Sequence, residues 1–492
     1  MAAAGSAVTE HDVVIIGAGM SGICMGIQLR KRGITDFLIL EKSPDVGGTW
    51  HDNTYPGACC DVPSVLYSYS FEPNPDWSRK YSPHNEIKAY FNRCADKYGL
   101  RENLRLSTEV ERADYDEGSG RWMIQLDGGE TIRARALVSG LGQLNQPSIP
   151  DFPGADRFQG TAFHSARWNH TADLHDKRVA VIGNAASALQ FIPHLARQAK
   201  SLYVYQRSAN YVIKRNDAPY SPAQKRRFAR FPWLQKLQRL AIYLTNEFFL
   251  YRVMRNKSLA RPVLEGMARR HLEEHITDPA LRRAFSPDYP AGCKRVLVSD
   301  DYYQSFNRPG VELVTSSITG IDEQGVVSED GVSRPADVII YGTGFKTSEM
   351  LSAVSFTGAG GVGLEQAWQD GAEAYRGVCV AGFPNFFMLY GPNTNLGSNS
   401  IIFMVERQVD YVVRCIDKLL SHDLTSLDVN AGVMRQYNTQ MQRELADTVW
   451  VARCDSWYKN AAGKVVNNWP HSTLAYWWHM RAPDFTDFDM QA

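Results

Sequence analysis

The sequence predicts an α/β fold with two Rossmann-like dinucleotide-binding domains and a helical insert in the second of them. A glycine-rich loop follows a short β-branched strand at residues 17–22, and a second loop of the same kind starts at Gly183. Residues 219–292 are rich in Arg, Leu and aromatic residues at helical spacing, with few strand signals. Glycine loops between a strand and a helix are typical of dinucleotide sites. Two such loops predict two nucleotide cofactors in one chain.

Length and composition limit the class of protein. A chain of 492 residues is too long for one simple core, so we expect two or three domains. Lys plus Arg and Asp plus Glu both number 53, which favours neither a nucleic-acid nor a membrane partner. The first eleven residues lack a signal-peptide pattern, and no charge-free apolar run is long enough to span a bilayer. Eight scattered cysteines without a C-x-x-C pair indicate reduced thiols and a cytoplasmic protein, and we predict no metal site.

Short apolar runs predict the elements of the first half of the chain. Residues 12–16 and 37–40 are strands on either side of a helix over 22–32, which ends at Gly33. Residues 111–139 alternate in polarity around two glycine turns and predict an antiparallel meander.

A stretch rich in proline and glycine at residues 140–154 predicts a linker and a domain boundary. Strands at 178–182 and 201–205 form a second βαβ unit, and Pro193 should kink or end the helix between them. A strand at 337–341 and a long helix at about 399–420 follow. The predicted division is a first domain over residues 1–145 and 380–492, and a second over 146–379 with its insert at 219–292.

The first loop is a full G-x-G-x-x-G pattern, formed by Gly17, Gly19 and Gly22. Its glycines permit a tight turn and a close approach of the backbone to a pyrophosphate, which then faces the helix N-terminus. Glu41 lies 19 residues past Gly22, where an acid accepts a hydrogen bond from a ribose hydroxyl. A chance glycine turn is the weaker alternative, because strand, helix, second strand and acid are all in register.

The second loop is imperfect, because Ala185 stands where the first loop has its middle glycine. The strand after it ends in Gln206-Arg207-Ser208, with no acid. A guanidinium at this position suits a 2′-phosphate, which favours NADP over NAD. The alternative is a degenerate nucleotide domain that binds nothing.

The segment between the two loops contains F-x-G-x-x-x-H-x-x-x-W, from Phe158 through His164 to Trp168. With this pattern, the chain resembles the type I Baeyer–Villiger subgroup of class B flavoprotein monooxygenases over nearly its whole length. Asn169 departs from the usual fingerprint, which ends in Pro or Asp, and Ala185 is a second departure. Further segments carry the resemblance: Gly47-Gly48-Thr49-Trp50, Tyr55-Pro56-Gly57 through Asp61, Cys293-Lys294-Arg295 before Tyr302-Tyr303, Gly342-Thr343-Gly344-Phe345 and Gly391-Pro392-Asn393.

The resemblance implies FAD in the first domain and NADP in the second. It implies an NADPH- and O₂-dependent oxygenation, in which a C4a-peroxyflavin attacks a ketone and an ester or lactone forms. Family similarity places Arg295 beside the flavin, Asp61 against Arg295, and Lys294 on the 2′-phosphate together with Arg207. His164 is not assigned as a general base, because the resemblance implies that the fingerprint linker couples domain motion to catalysis and takes no direct part in acid–base chemistry. The residues predicted to bind the cofactors are Gly17, Gly19, Gly22, Glu41, Gly48, Thr49, Trp50, Asp61, Tyr67, Val110, Ile401, Gly183, Ala185, Ser187, Ala188, Gln190, Arg207, Ser208, Lys294 and Trp457.

Each of these assignments has a simpler alternative. Without the resemblance, Lys294 and Arg295 would be interpreted as cations exposed to solvent, and Asp61 as a residue that forms a turn. The start of the helix at 399–401 offers partial positive charge for reduced flavin, or begins an ordinary amphipathic helix.

Three rival functions remain open at the level of sequence. A flavin-dependent S- or N-oxygenase would use the same scaffold on a sulfide or amine instead of a ketone. A flavin disulfide reductase would need a redox-active cysteine pair, and only Cys59-Cys60 is available, at the wrong spacing. A non-catalytic nucleotide sensor is motivated by Ala185. We expect a small-molecule substrate with O₂, and a monomer.

Overall fold

The computed structural model describes residues 9–347, 349–452 and 456–492. The strands are β1 Thr9–Ile16, β2 Phe37–Leu40, β3 Leu104–Arg105, β4 Val110–Asp116, β5 Arg121–Leu126, β6 Thr131–Ser139, β7 Thr161–His164, β8 Arg178–Ile182, β9 Ser201–Tyr205, β10 Val212–Ile213, β11 Leu297–Val298, β12 Val311–Val314, β13 Ile318–Ile321, β14 Gly325–Ser328, β15 Ser333–Pro335, β16 Val338–Tyr341, β17 Ser355–Thr357, β18 Phe386–Met388, β19 Ser426–Val429 and β20 Phe488–Gln491.

The helices follow the same chain order, and short 3₁₀ turns between them are left unlabelled. They are α1 Met20–Arg32, α2 Thr49–Asp52, α3 His84–Lys97, α4 Ala186–Leu195, α5 Pro222–Arg230, α6 Pro232–Thr245, α7 Tyr251–Val253, α8 Arg261–His275, α9 Pro279–Ala284, α10 Tyr302–Ser305, α11 Leu364–Ala367, α12 Ile401–Ser421, α13 Ala431–Leu445 and α14 Thr473–His479. A π-helical turn, Asn246–Leu250, joins α6 to α7.

The first sheet has the strand order β17-β4-β5-β6-β1-β2-β3, and β18 also pairs with β6. β1 runs parallel to β2 and β6, with α1 as the crossover, so the predicted first βαβ unit is confirmed. The predicted meander is confirmed as well, because β4, β5 and β6 are antiparallel neighbours. The chain rejoins this sheet at β17, which pairs with β4 before the expected boundary at residue 380.

The second sheet has the order β12-β9-β8-β16-β7, and each of its pairs is parallel. Its central strands β8 and β16 are buried apolar runs, as expected for a sheet covered on both faces. The crossover helix α4 continues through Pro193 and ends two residues later, at Leu195. The insert that the sequence predicts at 219–292 is confirmed as helical by α5 to α9.

The cysteines differ from the prediction at one position. Six described cysteines are free, namely Cys24, Cys59, Cys60, Cys94, Cys379 and Cys415. Cys293 is disulfide-bonded, so the expectation of reduced thiols throughout is wrong there. Cys454 lies outside the described residues. Within the described ranges, every helix is too short or too polar to cross a bilayer.

Candidate active site

The first glycine loop is shaped by close backbone contacts. Gly17 has a φ of +98°, and a Cβ there would lie 2.8 Å from the carbonyl oxygen of Gly140 at the end of β6. A Cβ on Gly22 would lie 1.9 Å from the carbonyl oxygen of Gly17. Both positions therefore require glycine to close the turn between β1 and α1. The N–H of Gly47 donates to Ala18 at 3.1 Å, which brings the Gly-Gly-Thr-Trp segment onto this loop.

Glu41 is held inside the same loop. Its carboxylate is buried and accepts from the backbone N–H groups of Ala18 at 2.7 Å and Ser43 at 2.9 Å. Each carboxylate oxygen has a second lone pair, so the oriented group retains capacity to accept from a ribose hydroxyl. Val110, the first residue of β4, is buried nearby: Thr108, two residues before it, donates its N–H to the Glu41 carbonyl at 2.9 Å.

The second loop has the backbone shape of the first, despite Ala185. Gly183 has a φ of +106°, close to that of Gly17, and a Cβ there would lie 2.4 Å from the carbonyl oxygen of Gly342. Ala185 has φ −84° and ψ −165°, against −74° and −168° at Gly19. These angles are extended backbone that any residue adopts. The departure at Ala185 therefore adds one exposed methyl group and leaves the turn unchanged.

A cationic patch lies beyond the end of β9. The Lys294 ammonium donates to the Ser208 hydroxyl at 2.8 Å and lies 4.8 Å from the centre of the Tyr289 ring. Arg207, the neighbour of Ser208 in the chain, is exposed. The structure thus gathers three predicted phosphate-binding residues from two distant segments at one edge of the second sheet. Hydroxyl, ammonium and guanidinium groups together suit a phosphate.

Arg295 and Asp61 form a two-point ion pair. The Arg295 Nε donates to Oδ2 of Asp61 at 2.8 Å, and Nη2 donates to Oδ1 at 2.9 Å. Both side chains retain partial exposure, 34% for Arg295 and 26% for Asp61. The negative charge of Asp61 raises the pKa of Arg295 above its ordinary value, so the guanidinium is a permanent cation.

Two tyrosines near Arg295 were not identified from the sequence. Tyr458 is buried and Tyr390 is half-buried. Desolvation raises the pKa of both phenols, and the positive charge of Arg295 acts to lower it. Tyr390 has a φ of +64° and donates its hydroxyl to Asn395 at 2.6 Å. Its position immediately before the Gly391-Pro392-Asn393 motif was the available signal. Trp457, a predicted cofactor residue, stacks beside Tyr458 with ring centres 4.6 Å apart.

A third residue missed by the sequence analysis is Arg215, whose Nη1 donates to the Cys59 sulfur at 2.8 Å. Cys59 lies in the segment from Tyr55 to Asp61, which carries part of the family resemblance. The structure supplies a guanidinium there from the second domain. Nothing local to Arg215 predicts this contact.

The aromatic pair beside the first loop is Trp50 and Tyr67, with ring centres 5.6 Å apart in an edge-to-face arrangement. The Trp50 indole N–H donates to the Tyr67 hydroxyl at 3.2 Å. Trp50 belongs to the short helix that starts at Thr49, directly after Gly48.

The long helix α12 starts at Ile401, close to the predicted position. Ser400, the residue before it, is fully buried, and its side chain makes no capping hydrogen bond. Within the described chain its hydroxyl has no hydrogen-bond partner. An uncapped N-terminus with a buried polar group suits an electron-rich ligand atom.

The fingerprint segment joins the two domains. Trp168 packs against Phe191 of α4 and Tyr55 of the first domain, with ring centres 5.4 and 6.5 Å apart. Gln190, a predicted cofactor residue, accepts from the Tyr55 hydroxyl at 3.0 Å and from the Cys59 N–H at 3.2 Å, and its amide donates to the Cys59 carbonyl at 3.0 Å. Ser187, one turn earlier, faces Tyr55 too.

His164 is unsuited to general-base chemistry. It is 3% exposed, it ends strand β7, and its Nδ1 accepts from the Ala166 N–H at 3.1 Å. Burial lowers the pKa of His164 to about 4, so the ring is neutral near pH 7.

Known proteins match this chain along most of its length. The family model described as pyridine nucleotide-disulphide oxidoreductase matches residues 14–246. A Baeyer–Villiger monooxygenase of Pseudomonas aeruginosa is 41% identical over 485 residues, which are 97% of this chain and 90% of that protein. One of Streptomyces coelicolor is 40% identical over 486 residues, 98% of this chain and 93% of the relative. The chain belongs to the Baeyer–Villiger monooxygenase family.

Solved structures agree with this membership. A steroid monooxygenase bound to NADP matches this Baeyer–Villiger monooxygenase with a TM-score of 0.86 and 31% identity, over 98% of this chain and all of the other. Cyclohexanone monooxygenase from Rhodococcus sp. Phi1, bound to NADP⁺, matches with a TM-score of 0.88 and 27% identity, over 99% and 100% of the two chains. The resemblance stated from the sequence, the α/β fold class and the enzyme class are therefore confirmed.

Proposed function

We propose that this enzyme catalyses the NADPH- and O₂-dependent insertion of oxygen next to a ketone carbonyl, with Arg295 as the charge that stabilises the developing oxyanion. The observation that carries this assignment is the ion pair of Arg295 with Asp61, which lies partly exposed between segments of both nucleotide domains. Family membership supports the reaction class, and solved relatives hold FAD and NADP.

The chain's own residues fit the two cofactors. In the first loop, Gly17 and Gly22 allow a close approach of backbone segments that a Cβ at either position would block. The carboxylate of Glu41 is oriented to accept from a ribose hydroxyl. In the second, Gly183 plays the same part as Gly17. When bound, FAD accepts hydride from NADPH and activates O₂, which is chemistry that side chains do not supply.

Arg295 is the proposed catalytic residue and Asp61 the residue that positions it. A guanidinium has five N–H donors, and Asp61 engages two of them. In this proposal the three N–H donors that Asp61 does not engage would donate to the reacting oxygen atoms, next to the permanent charge of the guanidinium. A preorganised cation in a partly buried site stabilises a developing oxyanion without reorganisation during the reaction.

Lys294, Ser208 and Arg207 are the proposed site of the NADP 2′-phosphate. The bond from Lys294 to Ser208 fixes the ammonium at the end of β9, where no acid competes for a ribose hydroxyl. Arg207 is exposed in the same turn and supplies a planar fork for two phosphate oxygens.

A product assay with ¹⁸O₂ tests the function. Enzyme, NADPH and ¹⁸O₂ are supplied first with a cyclic ketone and then with an aryl methyl sulfide of similar size. We expect a lactone that carries one labelled oxygen as the main product. Labelled sulfoxide with no lactone would instead assign the chain as a sulfur oxygenase, and NADPH consumption without any labelled product would remove the proposal.

We propose in addition that the enzyme works in the cytoplasm as a monomer. Six of the seven described cysteines are free, which supports a reducing compartment, and the disulfide at Cys293 is the observation on the other side. Light scattering during size-exclusion chromatography, compared with the chain mass of 55.3 kDa, tests the oligomeric state.

A further inference from the structure

Helix α6 has an inverted polarity. Its one buried side chain is polar: Gln235 is 4% exposed and donates to the Asn74 carbonyl at 2.6 Å, while Ile242 near the other end packs partly buried against the core. One turn later, Arg239 donates through Nη1 to the carbonyl groups of residues 65, 66 and 68. A surface helix of a globular protein normally buries its apolar stripe and exposes the polar one. Here, the polar stripe holds the helix on the protein and leaves the apolar stripe outside.

The outward stripe consists of large apolar side chains at helical spacing. Scattered exposed apolar residues are ordinary, but a continuous row of them marks an interaction surface. The row runs the length of α6 and into the π-helical turn. It comprises Trp233 (61% exposed), Leu237 (56%), Leu240 (49%), Leu244 (37%) and Phe248 (57%).

Helix α14 extends this row. The Tyr243 and Thr473 hydroxyls are 2.7 Å apart, and the N–H of Leu474 donates to Glu247 at 3.2 Å, so the two helices meet at one corner. Exposed apolar side chains of α14 therefore continue the surface. We call the combined set the apolar ridge: Trp233, Leu237, Leu240, Leu244, Phe248, Leu474, Trp477 and Trp478.

The segment that carries most of the ridge is strongly basic. Residues 219–257 contain nine Lys and Arg residues and one acid, Glu247, which gives a local net charge of +8 in a chain whose net charge is zero. Glu247 is 3% exposed, so it does not offset the surface charge. The exposed cations of this segment are Arg226, Arg227, Arg230, Lys236, Arg252 and Lys257.

We propose that the apolar ridge docks on the surface of an anionic lipid bilayer. A helix with Trp, Phe and Leu on one side, flanked by Lys and Arg, is the pattern of segments that lie in the interface plane of a membrane. The negative charge of the lipid headgroups complements the basic segment. A second copy of this chain would instead bring two segments of charge +8 together. The enzyme therefore lies on the bilayer through α6 and α14 and does not span it.

Vesicle sedimentation with the flavin-loaded enzyme tests this proposal. The probes are vesicles of phosphatidylcholine alone, and vesicles of phosphatidylcholine and phosphatidylglycerol in equal amounts. We expect binding to the anionic vesicles, much weaker binding to the neutral ones, and a loss of binding at high salt. Absence of binding to the anionic vesicles would overturn the proposal.

Matched variants distinguish binding through the apolar ridge from nonspecific adsorption of exposed apolar side chains. Trp233→Ser combined with Leu237→Ser should weaken vesicle binding at least about tenfold, since each side chain loses its burial in the interface. Val332→Ser combined with Val362→Ser removes two other exposed apolar side chains and should leave binding unchanged. Equal loss in both double variants would overturn the assignment to the ridge.

Two further measurements test the role of the basic residues and the oligomeric state. Each of the changes Arg226→Gln, Arg227→Gln and Arg230→Gln should lower binding about fivefold, which corresponds to about 1 kcal/mol for a basic residue at an anionic surface. Flavin content and ketone oxidation report that every variant is folded. If the ridge variants instead abolish a dimer and vesicles bind nothing, the ridge is an interface between copies and the lipid proposal is wrong.

Discussion

Arg295 and Asp61 are 234 positions apart in the chain and meet through two parallel hydrogen bonds of 2.9 and 2.8 Å. Asp61 follows a Pro-Gly turn of the first domain, and Arg295 follows the helical insert of the second. The pair therefore depends on the relative position of the two domains. It fixes the plane of the guanidinium, which is the property that an oxyanion-stabilising group requires.

Arg295→Ala should separate flavin reduction from oxygen insertion. The hydride step requires the two cofactors to be stacked, and the glycine loops that hold them are unchanged in the variant. Loss of one preorganised charge lowers the rate of ester formation about a hundred- to a thousand-fold. Anaerobic reduction of the flavin by NADPH and ester yield in air are measured side by side. Arg295→Lys is the control for charge, and should rescue poorly because an ammonium lacks the planar fork. Ester yield at the level of the unchanged enzyme would remove Arg295 from the mechanism.

Asp61→Ala should produce a milder form of the same defect. The variant keeps the positive charge of Arg295 but no longer fixes the orientation of its guanidinium. The ester yield should therefore fall while flavin reduction persists. Asp61→Asn retains one acceptor oxygen and should lie between the alanine variant and the unchanged enzyme. An asparagine variant that performs worse than Arg295→Ala would contradict the positioning role.

Arg207→Ala should weaken NADPH binding by roughly 1.5–3 kcal/mol, the usual contribution of a hydrogen bond to a charged group. NADH lacks the 2′-phosphate, so its binding should be nearly unchanged. The measurement is the dissociation constant of each nucleotide by titration. Arg308→Ala serves as the control. Arg308 is also exposed and lies three residues before β12, at the N-terminal ends of the parallel strands, whereas Arg207 lies beyond the C-terminal end of β9. An equal loss of affinity for NADPH and NADH would show that Arg207 does not bind the 2′-phosphate.

Gly19→Ala should weaken FAD retention about tenfold without disrupting the loop. Its Cβ would lie 3.6 Å from the Cα of Gly48, which is ordinary contact, so the added methyl group crowds the ligand and not the protein. Gly22→Val should disrupt the loop itself, because a Cβ at this position would lie 1.9 Å from the Gly17 carbonyl oxygen. The flavin-to-protein absorbance ratio after gel filtration reports retention. Ala185→Gly should leave FAD retention unaltered, and full retention in Gly19→Ala would refute the pyrophosphate assignment.

Acid should destabilise the fold partly through His164. Burial lowers the pKa of this residue from 6.5 to about 4 in the folded protein. Between these values the unfolded chain binds a proton that the folded one does not, so stability falls as the pH drops through this window. The contribution reaches about 3 kcal/mol near pH 4. Urea unfolding of His164→Asn at several pH values should show a shallower loss than the unchanged protein. His175→Asn, at an exposed histidine, should follow the unchanged protein.

Local patterns in the sequence determined the elements of both nucleotide domains. Strand, glycine loop and helix follow one another within about thirty residues in a βαβ unit, and their periodicities are local properties. Gly33 ends α1 at the predicted residue, and Ile401 begins α12 close to the predicted start. The family resemblance, through the segments that end in Asp61 and Arg295, added the identities of these two residues, which no spacing argument could have paired.

Only the tertiary structure decided which side of each element meets which neighbour. Helical spacing in the insert predicted α6 but not that Gln235 and Arg239 face inward while Trp233 and Leu237 face solvent. Gln190 was predicted only as a cofactor residue, and the structure shows that its amide group also holds the backbone of Cys59. Ala185 looked like a defect, yet its backbone reproduces that of Gly19. The physical reason is common to these cases: periodicity defines a stripe of side chains, whereas the partner that covers it comes from residues distant in the chain.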